Sequence, residues 1–264
     1  MAKILYNPDL RSGYQQLFDT CVITPTKYSS VDAVVNKILA GRPRYEALQS
    51  QLNIPWYFIG IVHYMEGSGN FKTHLHNGDP LTARTVQVPA NRPPGGSPPF
   101  TWEASTIDAL KLKALDKWVD WDIPGILYKL EQYNGFGYRN LQQPIPSPYL
   151  WSFSNIYTKG KYIADGRYDP NAVSAQCGAA VILRRLQEKQ LISNVTDRVA
   201  LTLELGKNIV FSPAKYAAKA ETLQVWLNKL GAVIRVDGKA GRFTSDAYKL
   251  VTGVFLTKDP LVST

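Results

Sequence analysis

The stretch that most constrains this chain runs from Pro55 to Phe71, PWYFIGIVHYMEGSGNF. Residues 55–66 are apolar almost all round, which predicts a helix buried on every face rather than an amphipathic surface helix. Pro55 suits the first turn, where a missing N–H is no loss. Gly67, Ser68 and Gly69 then stop the helix, because glycine readily takes the left-handed cap. The apolar run therefore ends on one carboxylate, Glu66, where the chain leaves the core. Partial burial disfavours the charged form of a carboxyl and raises its pKa, the property a general acid needs near neutral pH. A glutamate at a helix C-terminus also opposes the helix dipole, which favours function over a purely structural role.

Residues 72–88 are polar and carry turn chemistry at Asn77-Gly78-Asp79-Pro80. Thr82, Thr85, Val86 and Val88 are strand formers. The reading is a β-hairpin directly after the Glu66 helix, with Asp79 on it. Two carboxylates flanking a cleft are the equipment of a glycosidase. The plainer alternative leaves Glu66 as a helix end and Asp79 as a turn residue.

The order Glu66, Asp79, Thr85 resembles the lysozyme superfamily, whose phage-type members carry a helix-terminal Glu followed by Asp and Thr on a hairpin. Glu66-Gly67-Ser68-Gly69-Asn70-Phe71 is similar to the Glu-Ser motif of goose-type lysozymes and lytic transglycosylases, with a glycine inserted. Tyr133-Asn134-Gly135 resembles their Ala-Tyr-Asn motif, with Gln132 in the alanine position; a helix C-cap explains the same three residues. The resemblance implies a mainly α, α+β lysozyme-like catalytic domain with a small β-hairpin. It also implies Glu66, Asp79 and Thr85 as catalytic residues, Tyr133 and Asn134 lining the cleft, and neither cofactor nor metal. Tyr149 and Trp151, in an aromatic stretch over 144–170, and His63 beside Glu66 are further candidates for holding sugar. Asp165 and Asp169 read as turn residues.

Towards the C-terminus a Leu223-Gln224 helix precedes Asp237-Gly238-Lys239-Ala240-Gly241-Arg242-Phe243-Thr244. This closely resembles the peptidoglycan-binding module of wall hydrolases, with its Leu-Gln helix and Asp-Gly-x-x-Gly-x-x-Thr signature. Asp237, Gly238, Gly241 and Thr244 fit that spacing, and Thr244 suits a helix N-cap. The expected organisation is a catalytic domain over 1–190, a connector over 191–212 and a small helical wall-binding domain over 213–264.

A net charge of +9 over 264 residues points to an anionic partner. The basic residues form no run, and neither zinc-finger spacing nor a phosphate-cradling glycine loop is present, so peptidoglycan is favoured over nucleic acid. No run of about eighteen apolar residues predicts membrane insertion. The N-terminus reads as no signal peptide, so the expectation is a monomer made in the cytoplasm that acts on the cell wall. Cys21 and Cys177 read as free, buried thiols.

These readings converge on a muramidase of endolysin type, or a lytic transglycosylase, that cuts between N-acetylmuramic acid and N-acetylglucosamine with Glu66 as acid. Two alternatives stay open. His63, His74 and His76 lie close to Glu66 and Asp79, and three histidines suit a catalytic zinc in a wall amidase or peptidase. A wall-binding virion protein without activity is the other.

Overall fold

The computed structural model describes residues 4–164, 166–192 and 198–262. The protein is mainly helical. In chain order the α-helices are α1 (Pro8–Asp19), α2 (Tyr28–Ala40), α3 (Arg42–Leu52), α4 (Trp56–Gly67), α5 (Trp102–Leu112), α6 (Ile123–Asn134), α7 (Pro148–Trp151), α8 (Ala179–Glu188), α9 (Arg198–Lys207), α10 (Ala218–Lys229) and α11 (Arg242–Thr252). Strands β1 (Lys161–Ala164) and β2 (Arg167–Asp169) form one antiparallel hairpin. None of the described helices is long and apolar enough to cross a membrane. The described residues fall into two compact units, one of 17–118 and 129–192, the other of 4–16, 119–128 and 198–262. Asp165 lies outside the described residues.

In the first unit α4 is the central helix, as its composition predicts. Phe58, Ile59, Ile61 and Val62 are all fully buried, and α2, α3 and α8 pack around it. Gly60 makes the packing possible. A Cβ there would stand 2.7 Å from Ile38 Cγ2 of α2 and 3.0 Å from the Tyr45 ring of α3. The helix ends with Ser68 at φ 49° and Gly69 at φ 67°, the expected left-handed exit. Both cysteines are free and buried.

The hairpin is not where the sequence places it. Residues 72–88 hold one isolated bridge, Thr73 to Pro80, and otherwise turns. The reason is chemical: the backbone N–H groups of the would-be strand at Val86 and Gln87 donate to the Asp79 carboxylate. A side chain has taken the donors that a strand ladder needs. The paired strands form instead at 161–169, where Tyr162 faces Tyr168 across the hairpin. Two further boundaries move. The apolar pattern over 107–118 predicts one long helix, but α5 stops at Leu112 and Ala114 turns left-handed at φ 52°. The apolar positions Val173, Cys177, Val181, Ile182 and Leu186 predict a helix from Val173, but it begins at Ala179.

In the second unit α9, α10 and α11 pack on one another. Leu223, Leu227, Ala247, Tyr248 and Leu256 form the centre of their core, and Leu203 and Leu205 of α9 close it. The stretch read as connector thus supplies a helix of the C-terminal bundle. In the same unit Arg11 is buried with Asp120 and Asp122 on its guanidinium.

Candidate functional site around Glu66

Glu66 sits in the last turn of α4, half-buried, and its Oε1 accepts a hydrogen bond of 2.8 Å from the Tyr149 hydroxyl. Burial pushes the Glu66 carboxyl above its ordinary value. The Tyr149 bond and the charge of Lys113 pull the other way and only temper the rise. Tyr149 in turn is held well above the usual phenol range, first by burial and then by Glu66. The half-buried Tyr133 is likewise raised, first by desolvation and then by the same carboxylate. Its hydroxyl donates to the Leu75 carbonyl at 3.2 Å, which ties α6 to the loop after α4. The turn at 77–79 lies against the helix end: a Cβ on Gly78 would stand 4.0 Å from the Glu66 carbonyl oxygen, and Gly78 has φ +83°. Glu66, Tyr149, Tyr133 and the Asp79 turn are therefore assembled in one region from four parts of the chain.

Asp79 is the knot of its loop. Its Oδ2 accepts from the Val86 and Gln87 N–H groups at 2.8 and 3.1 Å and from the Asn77 amide at 3.0 Å. Those bonds, the Val86 one first, hold its carboxyl below the ordinary range. Near neutral pH Asp79 is ionised, while Glu66 is shifted towards its protonated form. Opposed shifts in two carboxyl groups are how acid and anionic roles are divided in one site.

The other candidates divide into two sets. Tyr133 and Tyr149 stand at Glu66. Asn134 is the exposed last residue of α6, and Gly135 follows at φ +96°, so the Tyr-Asn-Gly run also ends a helix. Thr85, His63 and Trp151 are each at most 2% exposed and present no surface to a ligand. The Thr85 hydroxyl donates to the Pro89 carbonyl and accepts from the Arg92 N–H, closing the loop. His63 lies 4.6 Å from both Phe71 and Trp102, centroid to centroid, with Tyr45 Oη 2.9 Å from its Nδ1. Burial brings its pKa down to about 4.

The three imidazoles do not converge. His63 is paired with Tyr45, and His76 Nε2 lies 2.8 Å from Asp108, which Arg92 also grips. His74 has both nitrogens engaged: Nε2 donates to the Ala83 carbonyl at 2.8 Å, so Nδ1 is left to accept from Ser105 Oγ at 2.7 Å. Among the described residues no group of three His, Cys, Asp or Glu side chains is placed to hold a metal ion. These contacts anchor the loop that carries Asp79. Ser105 and Asp108 are not legible as its anchors, because each lies about thirty residues along the sequence from its histidine.

In the second unit the signature residues meet on Gln224, which is almost fully buried. Its Nε2 donates to Asp237 Oδ1 (2.9 Å), Thr244 Oγ1 (3.0 Å) and the Lys239 carbonyl (3.1 Å), and its Oε1 accepts from the Asp237 and Gly238 N–H groups at 2.9 and 2.8 Å. Gly238 has φ +68° with the Tyr216 ring 2.5 Å from where a Cβ would be. Thr244 is not the N-cap; Gly241 is, and Thr244 is buried in the first turn of α11. Beside this clasp runs an open groove of about 550 Å³ with Arg235, Lys239, Arg242 and Phe243 on its walls.

No protein-family model matches the chain, and neither a curated protein nor a solved structure matches it significantly.

Proposed function

We propose that the chain cleaves the glycan strand of peptidoglycan, with Glu66 protonating the glycosidic oxygen between N-acetylmuramic acid and N-acetylglucosamine. The observation that carries the reading is the half-buried Glu66 carboxyl at the end of α4, raised by burial and oriented by Tyr149. A raised carboxyl keeps its proton closer to neutral pH and gives it up when a leaving oxygen develops negative charge. The phenol then donates to the carboxylate that remains. Ionised Asp79 supports positive charge developing on the sugar or orients a water. Its three hydrogen bonds all fall on Oδ2, so Oδ1 is the oxygen that serves.

The second unit fits an anchoring role on the wall. The Gln224 clasp gives a physical reason for the Leu-Gln and Asp-Gly-x-x-Gly-x-x-Thr pattern. It fixes the loop beside a groove lined by three cations and the exposed Phe243. Loss of turbidity in purified peptidoglycan, followed by mass spectrometry of the released fragments, tests the reading. Cleavage of the glycan bond by wild type and its loss in Glu66→Gln are expected. Fragments cut only in the peptide, or full lysis by a folded Glu66→Gln protein, would end it.

A further inference from the structure

A second cavity of about 400 Å³ opens in the first unit between the end of α5 and the last turns of α6. Leu112 and Leu115 give it apolar walls, and Lys113, Lys129, Gln132 and Tyr133 give it polar ones. Tyr133 belongs to this cavity and to the surroundings of Glu66 alike, and the charge of Lys113 reaches the Glu66 carboxyl. A ligand held at Glu66 that continues past Tyr133 therefore arrives between two ammonium groups.

Both ammonium groups are positioned. Lys129 is only 9% exposed; its Nζ donates to Gln132 Oε1 at 2.9 Å and lies 4.2 Å from the centre of the Trp118 ring. Lys113 ends α5 with its Nζ 5.0 Å from the Tyr133 ring centre. A cation at a helix C-terminus accounts for Lys113 alone. It does not account for a second, buried lysine on the same cavity. Burial disfavours the charged form of Lys129, so an anion entering the cavity meets a group that gains from its charge.

We propose that this cavity is a subsite for a carboxylate of the acidic stem peptide that hangs from the glycan strand. The inference rests on the glycan-cleaving reading, because a glycan with its lactyl groups amide-linked brings anions only on its peptides. Lys113 and Lys129 are the recognition groups, Gln132 and the ring faces hold them in place, and amidation of the stem carboxylates is what the subsite discriminates against.

The test is calorimetric binding by the full-length Glu66→Gln protein of two soluble disaccharide-peptides, one with free stem carboxylates and one with them amidated. Amidation should weaken binding about tenfold, the value of one charge-assisted hydrogen bond. Lys113→Gln and Lys129→Met should each weaken binding of the carboxylate form and draw the affinity ratio towards one. Lys113 is exposed, so its variant tests the subsite even where Lys129→Met melts early. Equal affinity for the two ligands, or an unchanged ratio in Lys113→Gln, overturns the subsite. Wild-type cleavage of peptidoglycan is scored separately. Cleavage with equal affinities removes the subsite and keeps the glycosidase; amidation-sensitive binding without cleavage does the reverse.

Discussion

The Tyr149 hydroxyl and Glu66 Oε1, 2.8 Å apart, bring two otherwise separate parts of the first unit to one proton. The phenol is fully engaged as a donor, and its own ionisation is pushed far out of reach by burial and by the carboxylate beside it. It acts as a fixed dipole that favours the ionised form of Glu66, while burial favours the protonated form and prevails.

Tyr149→Phe removes the donor and keeps the ring. The Glu66 carboxyl then loses a stabiliser of its charged form, so its pKa rises further. A general acid works while protonated, and the alkaline limb of the pH–rate profile follows it. That limb should move to higher pH in Tyr149→Phe. A limb that stays in place, in a variant that melts like wild type, would show that the bond does not tune the acid.

Glu66→Gln should lower the rate of glycan cleavage by about 10²–10⁴-fold, the usual contribution of a positioned proton donor. Its effect on stability has a definite pH sign. The folded-state pKa of Glu66 lies above its unfolded value. The protonated carboxyl is therefore the form the fold favours, and this stability is complete below the unfolded pKa and lost as pH rises through the folded one. The amide has no such loss. The melting temperature of Glu66→Gln relative to wild type should climb between mildly acidic and neutral pH; a difference constant across that range would contradict the buried-acid assignment.

The sequence reveals α4, Glu66 and the left-handed exit because one local pattern, an apolar run closed by Gly-Ser-Gly, determines them. The Gln224 helix and its glycine loop are legible for the same reason. The loop after α4 is not. Its strand-like valine spends its N–H on Asp79, and its histidines are anchored by Ser105 and Asp108, about thirty residues away on α5. Propensity reads neighbours along the chain, and here the contest is decided by partners brought in by the tertiary fold. The burial of Thr85, His63 and Trp151 is hidden likewise, since polar and aromatic types suit a core and a cleft equally well.

Asp79→Asn should lower turnover by removing the anion, and it should also loosen the loop. The Val86 and Gln87 amides lose a charged acceptor for a weaker neutral one. Their hydrogen exchange should accelerate, while amides in α4 stay protected. The stabilisation that Asp79 gives is present above its unfolded pKa and lost as pH falls through the lower folded value, so wild-type loop exchange should approach that of the mutant in acid. Unaltered exchange at Val86 and Gln87 would remove Asp79 from its role as the loop's fastener.

The second unit offers the sharpest structural test. Gln224 engages five partners from a nearly sealed position: its two amide hydrogens serve Asp237, Thr244 and the Lys239 carbonyl, one of them shared, and its oxygen accepts twice. In Gln224→Leu the shape is roughly kept, but the Asp237 and Gly238 N–H groups lose their acceptor. Each buried polar group left unsatisfied costs about 1–3 kcal/mol, so even with water entering, a loss of about 2–4 kcal/mol is expected. Asp237 is also held below its ordinary pKa first by the Gln224 bond, so its carboxyl should titrate at higher pH in the variant. On the wall, the full-length variant should pellet less with purified peptidoglycan, because the loop beside the groove is no longer fixed. The unit that carries Glu66 does not contain Gln224, so under the proposed function cleavage of soluble glycan fragments should persist at a temperature below the variant's melting point. Pelleting equal to wild type, with the Asp237 titration shifted, would separate the clasp from wall binding and place the anchor elsewhere on the chain.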